Sequence, residues 1–321
     1  MADFKIAFAG TPEAALPILK NLSNNFEIAC VLTKPPVQKG RSNKLVKSPV
    51  HQAALDLNLK VVTQNPNNQD CLNYLKSLNL DAVAVVAYGY ILGENILKAA
   101  KKGWYNLHFS LLPKFRGAAP VQNSILQGVN KTGISVFKID KNIDTGLLAS
   151  QKEYIMKGSE TSGELLNKLS IIGAEEVFQV FQKIKLNNLK LKKQIGEASK
   201  APKLTKQDSY IDWDNSAEKI NCKIRAFNPS PKAKAILQLN DGEKINLFIL
   251  KAQIIDEKEI KNQIGFLPKR IGCVVNNKKN LFVKTASNFM QLSNLQIESR
   301  NIVNSANFIN NLKLDNNSRF I

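Results

Sequence analysis

Phe4-Lys5-Ile6-Ala7-Phe8-Ala9-Gly10-Thr11-Pro12 reads as a short apolar strand running directly into a Gly-Thr-Pro turn. Thr11 before Pro12 predicts a helix start, because Thr can cap free backbone N–H groups and Pro fits the first helical turn. Outward from this unit the same alternation repeats. Further strands are predicted over Phe26 to Leu32, Ala82 to Ala87, Trp104 to Phe109 and Gly133 to Ile139, after a first one at Lys5 to Ala9. Helices are predicted over Pro12 to Leu22, Val50 to Leu57, Gln69 to Leu78, Glu94 to Ala100 and Ala118 to Leu126. Strands alternating with helices are the pattern of a parallel α/β sheet. A longer amphipathic helix from Gly163 to about Lys185, with Leu165, Leu166, Leu169, Ile172, Val177 and Val180 at helical spacing, closes a first domain of residues 1–186.

Residues 187–206 lose periodicity and read as a basic linker. Beyond it, residues 207–321 change character. Ala235 to Leu239, Asn240-Asp241-Gly242 and Ile245 to Ile254 read as a hairpin. Cys273 to Val275, a polar turn and Leu281 to Lys284 repeat that pattern, and Gln291 to Ile297 adds a strand. The expectation is a small all-β unit, a closed or nearly closed barrel.

The chain of 321 residues has 45 Lys+Arg against 26 Asp+Glu, a net charge of +19, with 44% apolar residues. That balance excludes disorder and collagen, and the length predicts two domains. The longest uninterrupted apolar run, Ala82 to Ala87, is far short of the roughly 20 residues that span a bilayer. No separate basic region, long apolar segment and cleavage site precede the first strand, so a cytoplasmic location is expected. Cys30, Cys71, Cys222 and Cys273 are too scattered for a metal knuckle or a disulfide framework, and no metal is expected. The positive charge is concentrated. Residues 183–206 hold eight lysines, among them Lys190, Lys192, Lys193 and Lys203, and one acid, Glu197; Lys34, Lys39, Arg41, Lys44 and Lys47 form a second cluster without an acid. Either cluster alone is compatible with a solvated surface; two together favour a polyanionic partner.

Gly10 stands where a dinucleotide-binding turn needs three glycines, so a nicotinamide or flavin role is not supported. There are two histidines. His51 falls in a helical pattern as an ordinary surface residue. His108 lies near the end of a strand, two residues after Asn106, so both share one face near the carboxyl end, where parallel α/β sheets place ligands. Asp144, in Asp140-Lys141-Asn142-Ile143-Asp144-Thr145-Gly146, comes to the same rim from the next strand. Taken singly, each of the three could equally serve a turn, a cap or a core hydrogen bond. Together they suit acyl transfer without a covalent intermediate: an amide donates to a developing oxyanion, imidazole moves a proton, and a carboxylate orients or charges that imidazole.

Asn106-Leu107-His108-Phe109-Ser110-Leu111-Leu112-Pro113 followed by Phe115-Arg116-Gly117-Ala118-Ala119-Pro120 resembles the signature of the folate-dependent formyltransferases. Ala87-Tyr88-Gly89-Tyr90-Ile91-Leu92, Asp144-Thr145-Gly146 and Gly10-Thr11-Pro12-Glu13 match as well. Lys39-Gly40-Arg41 to Ser48-Pro49-Val50, Ala201-Pro202-Lys203-Leu204 to Ile211-Asp212-Trp213, and Arg225-Ala226-Phe227-Asn228-Pro229 are similar to the tRNA-specific branch, the methionyl-tRNA formyltransferase family. The resemblance covers nearly the whole chain. It implies a Rossmann-like first domain, an OB-like barrel that binds tRNA, 10-formyltetrahydrofolate as formyl donor and initiator methionyl-tRNA as acceptor. No membrane association and no obligate protein partner are expected. Asn106, His108 and Asp144 fall on the family's catalytic positions; Ser110, Leu111, Leu112 and Pro113, with Ile91 and Leu92, fall on its folate-binding stretches. Arg41, with Lys44 nearby, falls in the loop that enters the acceptor stem, and Lys190, Lys192, Lys193 and Lys203 are the expected contacts of the basic segment. Phe109 stands where the family has a small residue, and Ser230 and Lys232 to Lys234 replace an aromatic-rich continuation. Two rival readings share the fold: a formyltransferase acting on a small nucleotide-linked amine, and a non-catalytic RNA-binding relative.

Overall fold

The run Ala82–Val86 is buried at every position. A strand shielded on both faces, with a neighbour on each side, needs an apolar residue at each point rather than an alternating pattern. The computed structural model describes residues 4–38, 45–312, 314 and 317–321. In chain order the elements are β1 (Lys5–Gly10), α1 (Leu16–Asn25), β2 (Glu27–Leu32), β3 (Val37–Gln38), β4 (Leu45–Val46), α2 (Pro49–Asp56), β5 (Val61–Val62), α3 (Gln69–Ser77), β6 (Ala82–Val86), α4 (Glu94–Leu97), β7 (Gly103–His108), α5 (Pro120–Leu126), β8 (Lys131–Lys138), β9 (Leu148–Ile155) and α6 (Ser162–Lys185). Among the described residues they build a sheet of order β5-β2-β1-β6-β7-β8-β9. β1, β2, β5, β6 and β7 run parallel, and β8 and β9 are antiparallel additions. This is the expected parallel-rich Rossmann-like sheet.

The chain divides into two units. The first comprises Met1–Pro120, Lys131–Ile155 and Leu166–Pro202, and the second Val121–Asn130, Met156–Leu165 and Lys203–Ile321. Within the first, α6 lies close against β7. A Cβ on Gly173 would sit 2.5 Å from Leu107 Cδ2, and Tyr105 meets Phe181 edge-on at 6.0 Å. A larger residue at 173 would push the buried Leu107 side chain out of its place between helix and strand.

After α7 (Ala217–Ala226), the second unit contains β10 (Ala233–Gln238), β11 (Lys244–Ile255), α8 (Glu257–Ile264), β12 (Val274–Asn276), β13 (Leu281–Lys284), β14 (Phe289–Ile297), β15 (Ile302–Asn304), α9 (Ser305–Leu312) and β16 (Arg319–Phe320). The sheet is antiparallel, in the order β12-β13-β14-β11-β10-β16 with β15 beside β14. Its two edges meet: Val274 N donates to Ser318 O at 3.3 Å and Phe320 N to Gly272 O at 2.9 Å, which nearly closes the barrel. The hairpin expected at Asn240-Asp241-Gly242 is present, with Gly242 at φ +91°.

Several expectations need correction. Thr11 does not cap a helix; its hydroxyl donates to Tyr88 O at 2.9 Å, a 3-10 turn occupies Glu13–Ala15, and α1 begins at Leu16. β9 was not anticipated, because an edge strand with Ser150, Gln151, Lys152 and Glu153 carries little apolar signal. The barrel strands are accompanied by α7, α8 and α9, so the second unit is not purely β. In α7 the apolar positions Ala217, Ile220 and Ile224 are buried and Ser216 caps the start by accepting from Lys219 N. No described helix is long and apolar enough to cross a membrane.

Candidate active site

Asn106 and His108 stand two residues apart at the carboxyl end of β7, and Asp144 sits in the connection from β8 to β9. All three line one cavity of about 540 Å³ within the first unit. Its walls are largely apolar, with Ile91, Leu92, Phe109, Phe137 and Ile139 around these polar groups. That is the composition of a small-molecule site.

His108 is buried, and its Nε2 lies 2.9 Å from Phe115 O. A carbonyl can only accept, so Nε2 carries the proton and neutral His108 presents its lone pair at Nδ1. Nδ1 is 3.7 Å from Asp144 Oδ2, too far for a direct hydrogen bond and close enough for a donor group to address both atoms. Asp144 Oδ2 also accepts from Gly117 N at 2.8 Å. Gly117 has φ +123°, and a Cβ there would lie 2.6 Å from Ala201 O, so the N–H that meets Asp144 requires glycine. Asn106 is half-buried and its side-chain amide has no hydrogen-bond partner among the described residues, leaving it available to a ligand.

Burial pushes the His108 pKa below its ordinary value, while the Asp144 carboxylate and the Phe115 carbonyl pull it back up. His108 is therefore a neutral base at pH 7. Asp144→Asn removes a charge that raises the pKa, so the His108 titration, already below 6.5, moves lower still. NMR of the imidazole C2–H signals checks this, with His51→Asn identifying the other histidine; an upward shift would contradict the placement of Asp144.

The other expected site residues are distributed unevenly. Ile91 and Leu92 line the cavity, and Ile91 is 76% exposed at its mouth. Ser110, Leu111, Leu112 and Pro113 do not line it. Ser110 Oγ donates to Lys114 O at 2.6 Å, and Ser135 Oγ takes Leu112 N at 3.0 Å and donates to Ser110 O at 2.6 Å. That stretch forms the turn that sets Phe115 and Gly117 against His108 and Asp144. Phe109 lines the cavity and is buried. Lys190, Lys192 and Lys193 are exposed in the first unit, and Lys203 is exposed in the second. Arg41 and Lys44 lie outside the described residues. Two contributors escaped sequence reasoning, the Phe115 carbonyl and the Gly117 N–H. Backbone groups leave no side-chain signal, although both belong to the run Phe115-Arg116-Gly117 already singled out. None of the cysteines lines the cavity, and burial pushes the Cys30 thiol up to about 12.

The formyl transferase model matches residues 4–181, and the model of the formyl transferase C-terminal domain matches residues 203–313. A parallel-rich sheet with this cavity, followed by an antiparallel barrel, is therefore the two-domain architecture of a formyl transferase. A methionyl-tRNA formyltransferase of Bifidobacterium adolescentis is 37% identical over 97% of this chain and 98% of its own. One of Rickettsia massiliae is 34% identical over 95% and 96%. Among solved structures, WlaRD, a sugar 3N-formyl transferase crystallised in the presence of dTDP and 5-N-formyl-THF, aligns with a TM-score of 0.64 at 20% identity, over 94% of this chain and all of that one. The chain belongs to the methionyl-tRNA formyltransferase family and is an enzyme of formyl transfer.

Proposed function

We propose that the enzyme moves a formyl group from 10-formyltetrahydrofolate to the free amino group of initiator methionyl-tRNA, and that Asn106, His108 and Asp144 carry the reaction. The observation that supports this most is the unpaired Asn106 amide beside a buried imidazole and a carboxylate on one apolar cavity. A donor that binds here supplies a formyl group attached to nitrogen. The apolar walls at Ile91, Leu92, Phe109 and Ile139 suit the flat rings of a folate.

Between His108 Nδ1 and Asp144 Oδ2, an amine has room to donate one N–H to each. Both bonds orient its lone pair and hold it near attack geometry. As the amine nitrogen bonds to the formyl carbon, His108 takes a proton from it and Asn106 donates to the oxygen where negative charge develops. The bond from formyl carbon to the donor nitrogen then breaks, and that nitrogen leaves with a proton. Asp144 stabilises the imidazolium that exists in between. No side chain needs to form a covalent bond.

The acceptor is tested by offering initiator methionyl-tRNA, elongator methionyl-tRNA and free methionine with the same donor. Preference for the initiator tRNA is expected; transfer to a nucleotide-linked sugar amine in place of tRNA would support the small-substrate reading instead. The exposed lysines give a second expectation. Neutralising Lys190, Lys192 and Lys193 together weakens initiator and elongator tRNAs alike and flattens the dependence of log affinity on log salt by about 1 for each lysine that meets a phosphate. Donor affinity should barely respond. Filter-binding titrations across a salt series read both, and an unchanged slope would remove these lysines from the interface.

A further inference from the structure

We propose that Gln194, held by Arg116, is a positioning residue that fixes the loop carrying Asp144. The proposal rests on the reading of Asp144 as part of the reacting site. Residues 139–147 join β8 to β9, and within them Asp144 adopts φ 54°, a left-handed conformation that aspartate tolerates better than most non-glycine residues and that still needs neighbours to hold it in one place. Gln194 holds the loop from the side. Its Nε2 donates to Asp144 O at 2.9 Å and to Gly146 O at 2.9 Å, so one amide grips the backbone on both sides of Thr145.

Its Oε1 accepts from Arg116 Nε at 3.2 Å and from Arg116 Nη2 at 2.6 Å. Both donors and both acceptor sites of the amide are thereby used. The orientation of the amide is determined as well, since carbonyls only accept and a guanidinium only donates. Only a carboxamide offers two donors and an acceptor in this planar arrangement, and glutamine carries it one methylene further from the backbone than asparagine.

The main chain around Gln194 is tied at both ends. Lys192 exchanges two backbone hydrogen bonds with Leu148, of 2.8 and 2.9 Å, just past the Asp144 loop. On the other side Arg116 N donates to Ser199 O at 2.8 Å, Ala201 N donates to Arg116 O at 2.7 Å, and Phe115 N donates to Ser199 Oγ at 2.9 Å. The strap therefore joins the Asp144 loop to the segment whose Phe115 carbonyl holds His108 and whose Gly117 N–H holds Asp144. A stretch that reads from sequence as a polar linker is built into the site, and Gln194 is its point of contact with the reacting carboxylate's loop.

Gln194→Glu separates the two roles. A glutamate still pairs with Arg116, and it cannot donate to the two carbonyls. Loosening a reacting group by a fraction of an ångström to 1 Å costs up to about 10²-fold, so kcat is expected to fall about 10- to 100-fold while KM for donor and tRNA stays near wild type. Gln194→Ala should behave similarly. In an Asp144→Asn background Gln194→Glu should cost little more, because the group it positions is already disabled. The rates are read per folded protein, with melting curves for each variant. Near-wild-type kcat in both Gln194 variants, an equal further loss in the Asp144→Asn background, or a loss that merely tracks unfolding would overturn the proposal. Full activity of Asp144→Asn alone would remove both this inference and the catalytic reading, whereas an impaired Asp144→Asn beside an unimpaired Gln194→Glu would overturn this inference only.

Discussion

His108→Ala is expected to lower kcat by about 10² to 10⁴, the range that a lost general base costs. Binding of donor and tRNA should change little, because the imidazole is buried and reaches the cavity only through one nitrogen. The effect is large for a structural reason. His51 sits in α2 and does not line the cavity, so no second imidazole can substitute. The loss should also be non-additive with Asp144→Asn, since the carboxylate acts mainly through the charge state of His108. Steady-state kinetics of the two single variants and the double variant measure this; near-wild-type turnover in His108→Ala, or strict additivity, would refute the assignment.

Asn106→Ala is the second large effect, about 10² to 10³ in kcat, comparable to removing a donor from an oxyanion site in other enzymes. An amide with no internal partner costs nothing to redirect when a ligand arrives, and its loss leaves no buried group unsatisfied. Melting temperature should therefore hold while turnover falls. Asn106→Asp keeps size and removes the donors, so it should be at least as impaired. A drop in stability with intact turnover per folded molecule would make Asn106 a structural residue.

The strand that carries Asn106 and His108 was legible because period two is a property of the extended chain. Asn106 and His108 had to share a face, and the apolar run at Ala82–Val86 announced the sheet's interior next to it. Asp144 could be placed at the rim because the β8 strand ends just before it. What lies around these residues was not legible. The Phe115 carbonyl and the Gly117 N–H depend on how residues 110–117 turn, and that turn is set by Ser135, a partner 25 residues from Ser110. Residues 187–206 lack periodicity because their order comes from hydrogen bonds to Leu148 and to residues 113–119 rather than from a hydrophobic face. The helix α7 was hidden by its charge, since Glu218, Lys219, Lys223 and Arg225 surround the buried Ile220 and Ile224. For the turn at 110–117 and for residues 187–206, a distant partner decides a local structure that local sequence only permits.

Direct transfer at the cavity is tested most directly by a single-turnover experiment. Enzyme in excess is mixed with donor bearing a labelled formyl group and with charged initiator tRNA, then quenched over time. Label should pass from donor to the methionyl amino group with no labelled protein at any time, and Asn106→Ala and His108→Ala should slow that single phase without adding another. Label accumulating on the protein before it reaches tRNA, or a wild-type rate in either variant, would contradict the account.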